Sequence, residues 1–163
     1  MADTPTTPAA TGDAPAQTQI SARVVAQYIK DLSFENPNII KLLQGQADNP
    51  NVQINVGVST QQLAPNMYES AITFNAKTVA KDVTYYDLEC VYAGLFQIDT
   101  IPAGMLEPFL LINCPALIFP FLRRIVADLT REGGFPPLLL DPIDFAALYF
   151  RQQQEMASKA PRS

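Results

Sequence analysis

The chain has no histidine and no tryptophan, and only two cysteines among its 163 residues. Without imidazole there is no Ser-His-Asp or Cys-His nucleophile system and no metal site that depends on a histidine ligand. Cys90 and Cys114 are far apart in sequence, too few for a zinc site, and their apolar surroundings mark them as buried free thiols. No GxGxxG and no P-loop sequence is present to cradle phosphates. Basic residues are scarce, eleven against sixteen acidic ones for a net charge of −5. That balance argues against nucleic acid and against an anionic membrane surface, and electrostatic steering favours a basic partner or a client rich in Lys and Arg. A carboxylate pair for acid–base work remains formally open, but no two acidic residues stand out. No metal and no cofactor is expected.

What the chain has instead is apolar surface. From Phe109 to Leu122 only Asn113 is polar, and Pro115 and Pro120 punctuate the run before Arg123 and Arg124 close it. An element that is apolar nearly all round needs covering from two sides, and the second cover can be another subunit or a client. The run falls short of the about 20 residues of a membrane span and carries two prolines, so direct membrane insertion is not expected. Residues 1–19 contain no Lys or Arg and no apolar block after Met1, which reads as a chain without a signal peptide and points to the cytoplasm.

Residues 1–16, rich in Thr, Pro and Ala, read as a disordered tail, and 153–163 as a flexible one, with a single folded domain over 17–152. Period-two patterning over Ile20–Phe34 predicts a first strand with Ile20, Ala22, Val24, Ala26, Tyr28, Leu32 and Phe34 on one face; Lys30 interrupts that face and suggests a bulge or strand end. A loop framed by Pro37 and Pro50 still carries Ile39, Ile40, Leu42 and Leu43. Val52, Ile54, Val56 and Val58 alternate with polar residues in the cleanest half-buried strand of the chain. Turns at Pro65-Asn66 and Lys81-Asp82 separate two further alternating runs, with Gly94 as a bend in the last. Four such strands imply an antiparallel sheet with one packed and one mostly polar face. After Pro102 the period turns helical: Ile118, Leu122, Ile125 and Leu129 share a face, Pro115 can start the helix, and Pro120 should kink or restart it. Gly133-Gly134 ends it. An apolar extended link over 135–142 leads to a short last helix that Asp144 can cap and that ends in the aromatic pair Tyr149 and Phe150.

Several local sequences in this order, Lys30-Asp31-Leu32-Ser33-Phe34-Glu35-Asn36-Pro37, Gly94-Leu95-Phe96-Gln97-Ile98, Cys114-Pro115 through Phe119-Pro120, and Gly134-Phe135-Pro136-Pro137-Leu138 with Pro142-Ile143-Asp144-Phe145, resemble the SecB protein-export chaperones over about residues 20–155. The resemblance implies an α+β fold, a four-stranded antiparallel sheet followed by a long and a short helix, assembled as a homotetramer, a dimer of dimers. It implies no enzyme activity. The implied function is to hold unfolded precursor proteins in hydrophobic grooves and deliver them to the SecA motor. The residues that match the groove are Ile39, Ile40, Leu42, Leu43, Ile54, Val56, Val58, Tyr149 and Phe150. Those that match the SecA-facing surface are Asp31, Glu35 and Glu89. The oligomer interface is expected at Leu88, Cys90 and Tyr92 of the last strand and at Ile118, Leu122 and Ile125 of the long helix. Asp87 and the absence of tryptophan ahead of Pro50 depart from some relatives. A carrier of a small apolar ligand, which would need an enclosed cavity, and a general holdase are the alternatives.

Overall fold

In the computed structural model, residues 19–45 and 50–159 are described; the expectation for 1–16 lies outside them. Strands β1 (Ser21–Glu35), β2 (Asn51–Ala64), β3 (Met67–Ala80) and β4 (Val83–Thr100) form one antiparallel sheet in the order β1-β4-β3-β2. Its hairpins follow from turn chemistry. Lys81 and Asp82 both adopt positive φ (44° and 63°) between the paired Ala80 and Val83, as a two-residue hairpin requires, and Asn66 does so (59°) in the β2–β3 turn. A five-residue helix, α1 (Ile39–Leu43), forms inside what the sequence presents as a loop.

The strict alternation expected of β1 does not hold. Register shifts between Val24 and Ala26 and between Ile29 and Asp31 mark two bulges, the second at Lys30 as expected. Each inserted residue flips the faces. Leu32 pairs with Cys90 and Ile29 with Tyr92 on the side of the sheet that carries the helices, whereas Tyr28 pairs with Ala93 and Ala26 with Leu95 on the other. Gly94 is no bend: β4 runs straight through it, and a Cβ there would lie 2.9 Å from Ile118 Cγ2, so glycine is what lets the long helix approach the sheet.

That helix, α2, spans Leu106–Glu132. Its turn over Phe109–Asn113 is π-helical, closing its ladder five residues on. Five residues after Leu110 comes Pro115, which has no N–H to give. The Leu110 carbonyl accepts instead from the buried Ser70 hydroxyl of β3 at 2.8 Å, a tie worth on the order of 1 kcal/mol. Pro120 does not restart the helix, which continues unbroken from Cys114 to Glu132. Pro120 cannot donate to the Ala116 carbonyl, but both residues are exposed, so that acceptor lies within reach of solvent. Cys114, Ile118, Leu122 and Val126, each 0% exposed, press on Ile72, Phe74, Ala76, Leu88 and Cys90 of the sheet, and burial of each larger aliphatic stabilises by roughly 1.5–3 kcal/mol. Length and apolarity alone would let α2 cross a membrane; the buried row shows why a core helix passes the same test. The last helix, α3 (Phe145–Lys159), is longer than expected, continuing through residues 153–159 that read as the start of a tail.

Candidate functional site

Two open troughs lie end to end along the helix side of β2. The first, about 260 Å³, is lined by Pro50 and Val52, by Thr78 and Tyr86 beneath, and by Phe135, Pro136, Pro137 and Leu138 above. The second, about 450 Å³, is lined by Ile54 and Val56 on β2 and by Ile143, Asp144, Ala147, Leu148 and Arg151 opposite. Val52, Ile54 and Val56 are successive residues of one strand face, so together they span about 13 Å. The result is a single groove with an apolar strand on one side and the 135–151 segment on the other. It is open to solvent, unlike the enclosed cavity a lipid carrier needs.

Local chemistry holds the upper wall in place. At the end of α2 the Phe135 amide donates to the Thr130 carbonyl and the Gly134 amide to that of Arg131, with Gly134 at φ 88°, a Schellman ending. Gly133 faces the Phe34 ring so closely that an added Cβ would lie 2.4 Å from it. The fully buried Thr130 hydroxyl donates back to Val126 and Ala127 and accepts from the Leu138 amide at 2.9 Å, which pins the extended link to the helix. Asp144 Oδ1 accepts from the Ala147 amide at 2.9 Å and caps α3 as expected. Beneath the wall, Tyr86 packs edge-on against Phe135 with centroids 4.8 Å apart and is tilted against Phe34 at 5.9 Å.

Among the nine groove candidates, Ile54 and Val56 line the groove itself. Val58 is half-buried against the core. Ile39 and Leu42 also pack on the core, Ile39 beside Gly134, while Ile40 and Leu43 point outward at 61% and 69% exposure. Asn36 and Asn38 anchor α1 by donating to the carbonyls of Gly133 and Thr84. Tyr149 and Phe150 contact each other edge-on at 5.4 Å, with Phe150 exposed. Sequence reasoning passed over Thr78, Tyr86 and the Phe135–Leu138 wall; the Pro-Pro-Leu run was the available signal, being too apolar for an ordinary link.

The opposite face of the sheet is acidic. Ser33 pairs with Glu89 and Glu35 with Asp87 across β1 and β4, and these four side chains surround a shallow polar pocket of about 190 Å³. Asp31 lies two residues along the same strand face, and Lys77 meets Asp87 at 3.3 Å. Farther along, Glu69 is buried at 6% exposure and accepts from Lys30 at 2.6 Å and from the Tyr28 hydroxyl at 2.5 Å. The Lys30 and then the Tyr28 hydrogen bond hold the Glu69 carboxyl below its ordinary value, and the bond to Glu69 pushes the Tyr28 phenol up to about 12. The bulge at Lys30 is what carries its ammonium across β4 to β3.

On the helix side, β1 is left uncovered. Val24, Ile29 and Leu32 are 40–45% exposed there, beside Leu117 and Phe121 of α2 at 54% and 44%. Phe121 stacks on Tyr92 at 6.4 Å, and the Tyr92 hydroxyl donates to Gln27 at 3.3 Å. The six interface candidates lie mostly beneath this patch: Leu88, Cys90, Ile118 and Leu122 are 0% exposed, Tyr92 is 7% exposed, and Ile125 is half-buried. Burial pushes the thiols of Cys90 and Cys114 up to about 11 and about 12, so both stay protonated and unreactive at neutral pH. Among the described residues no group of three or more Cys, Asp or Glu is placed to hold a metal ion.

Residues 15–156 match the family model described as preprotein translocase subunit SecB. The chain is 49% identical over 142 residues to the protein-export protein SecB of Hyphomonas neptunium, covering 86% of this chain and 83% of that one. It is 47% identical over 137 residues to that of Zymomonas mobilis, with 83% of each covered, and 45% identical over 163 residues to that of Maricaulis maris, covering 100% and 93%. Among solved structures, a SecB-like chaperone of Mycobacterium tuberculosis in complex with an antitoxin peptide superposes with a TM-score of 0.60 at 14% identity, over 75% of this chain and 90% of that one.

Proposed function

The chain belongs to the SecB family, and from that premise we propose that it is a protein-export chaperone that holds unfolded precursor polypeptides in the groove along β2 and delivers them to the SecA motor. The observation that carries this reading is the groove itself: apolar, open at the side and walled by a backbone-anchored segment, it suits an extended chain whose sequence varies. Binding there needs contact area and no covalent chemistry, in keeping with a protein that works as a chaperone and not as an enzyme. The relatives' roles in export fit a cytoplasmic protein that meets its clients before they reach the membrane.

Assembly as a dimer of dimers is supported by the uncovered side of β1. A 15-residue edge strand with exposed Val, Ile and Leu beside Leu117 and Phe121 is a template that a second copy can cover. Leu88, Cys90, Ile118 and Leu122 then shape this surface from below. For SecA the acidic face of Asp31, Glu35, Asp87 and Glu89 is the docking candidate, through charge complementarity with a basic partner.

Dilution of a denatured precursor into buffer tests the core of the reading. Stoichiometric amounts of the protein, without nucleotide, are expected to suppress light scattering or delay the precursor's folding; no effect on either would overturn the chaperone function. Glu89→Lys is expected to weaken co-sedimentation with SecA by about tenfold while leaving precursor binding unchanged. Equal loss of both would assign Glu89 to folding or assembly.

A further inference from the structure

The second trough of the groove is lined by aliphatic side chains, Ile54 and Val56 on β2 with Ile143 and Leu148 opposite, and by two charged residues of the wall, Asp144 and Arg151. Arg151 follows Asp144 by seven residues, about 10.5 Å along the axis of α3, and the two form no ion pair. The Asp144 carboxylate already has a counterpart. Its Oδ1 accepts from the Ala147 amide at the positive end of the helix, which offsets its charge. Arg151 is exposed and enters no ion pair among the described residues, not even with Glu155 one turn on. In a chain of net charge −5, the lining of this trough thus carries one cation without a counter-ion.

We infer that Arg151 makes the second trough selective for an acidic client side chain: an extended client lays aliphatic residues against Ile54, Val56 and Leu148, and an Asp or Glu among them pairs with the guanidinium. The inference rests on the groove being the client site and adds a charge preference within it. A guanidinium meets a carboxylate with two parallel N–H donors, a match that neither an amide nor a basic side chain offers. The aliphatic walls exclude part of the water that would screen the pair. At the other end of the trough a client carboxylate would meet Asp144, a like charge, so the acid is seated at the Arg151 end. This local preference opposes the long-range steering of the whole chain, which favours basic segments. A client segment with one acid among apolar and basic residues satisfies both.

The test uses the full-length protein and two peptides from one precursor, identical except for Glu or Gln at one central position between aliphatic residues, each carrying a benzophenone beside that position. At low salt the Glu peptide is expected to bind roughly two- to fivefold more tightly, the worth of an exposed ion pair, and high salt should erase the difference. Repulsion from the net negative chain works the other way, so overall charge does not produce this result. In Arg151→Gln the ratio is expected to fall to one or below. In Arg151→Glu a third peptide, with Lys at the same position, is expected to overtake the Glu peptide. Equal binding or a Gln preference in the wild-type protein, or an undiminished Glu preference in Arg151→Gln, would overturn the inference. Crosslinking separates the two levels of failure. If both peptides crosslink to 143–151 and bind equally, the selectivity is wrong and the groove stands. If neither does, the groove assignment has failed and the selectivity with it.

Discussion

The two edges of the sheet solve the same problem differently. Both β1 and β2 present apolar side chains toward the helices, and neither is fully covered by them: Val24, Ile29 and Leu32 on one, Val52, Ile54 and Val56 on the other. Beside β2, the 135–151 segment stands as a wall at a distance, so that what remains is a trough. Beside β1 no wall stands among the described residues, which place there the outward row Leu117 and Phe121 of α2, and what remains is a broad patch. A trough fits one extended chain, whereas a broad patch of matched shape is what a rigid second copy needs. How far the neighbouring element stands off thus separates the proposed cargo side from the proposed assembly side.

The sharpest way to break the comparison is to charge the patch. Phe121→Asp is expected to cost about 2–4 kcal/mol of association, seen as a fall in mass by sedimentation, while precursor binding per chain persists. Next in size is Gly133→Ala, because the new Cβ would strike the Phe34 ring of β1 at the very point where the groove wall leaves α2. About 1–3 kcal/mol of thermal stability should be lost, and with it part of both functions, since this glycine joins the two sides. Ile54→Asp acts on the trough alone. It should weaken precursor binding by about tenfold, near 1.4 kcal/mol, with the assembled mass unchanged.

The smallest effect concerns the brace from β1 across to β3. Glu69 titrates below its ordinary 4.5 in the folded chain because Lys30 and Tyr28 bond its carboxylate. A carboxyl with a depressed folded value adds stability above its unfolded value, and that stability drains away as the pH falls from 4.5 through the folded value. Lys30→Met removes the larger of the two bonds. Because Lys30 is 47% exposed, the change should stay below about 1 kcal/mol. Melting temperatures between pH 6 and pH 3 should therefore fall less steeply for Lys30→Met than for the wild-type chain.

Much of the fold was legible in the residues. The alternation of β2, the positive-φ turns at Asn66 and Lys81-Asp82, the Asp144 cap and the Gly133-Gly134 stop all depend on neighbours in sequence, and each appears in the structure. The site was legible only in part. Strand periodicity put Ile54 and Val56 on one apolar face and the family resemblance put them in the groove, but their partners across it come from Phe135 to Arg151, and no local pattern says which strand that link will face. Ile39 and Leu42 illustrate the converse: apolar residues in a connection read as groove or core alike until α1 docks beside Gly134. In β1 the period misled beyond the first bulge, because an inserted residue reverses the faces without altering composition.

Sequence alone determined the absence of imidazole chemistry, the order of strands and helices, and a surplus of apolar surface greater than one chain of this length hides, because these depend on composition and near-neighbour spacing. Only the tertiary structure decided how that surplus is divided. The long run from Phe109 to Leu122 buries Cys114, Ile118 and Leu122 on the sheet, turns Leu117 and Phe121 outward beside β1, and replaces the hydrogen bond that Pro115 cannot make with one from Ser70. A helix of 3.6 residues per turn sends its side chains in every direction, and which direction faces a sheet, a groove or a second copy is set by contacts between residues far apart in the chain.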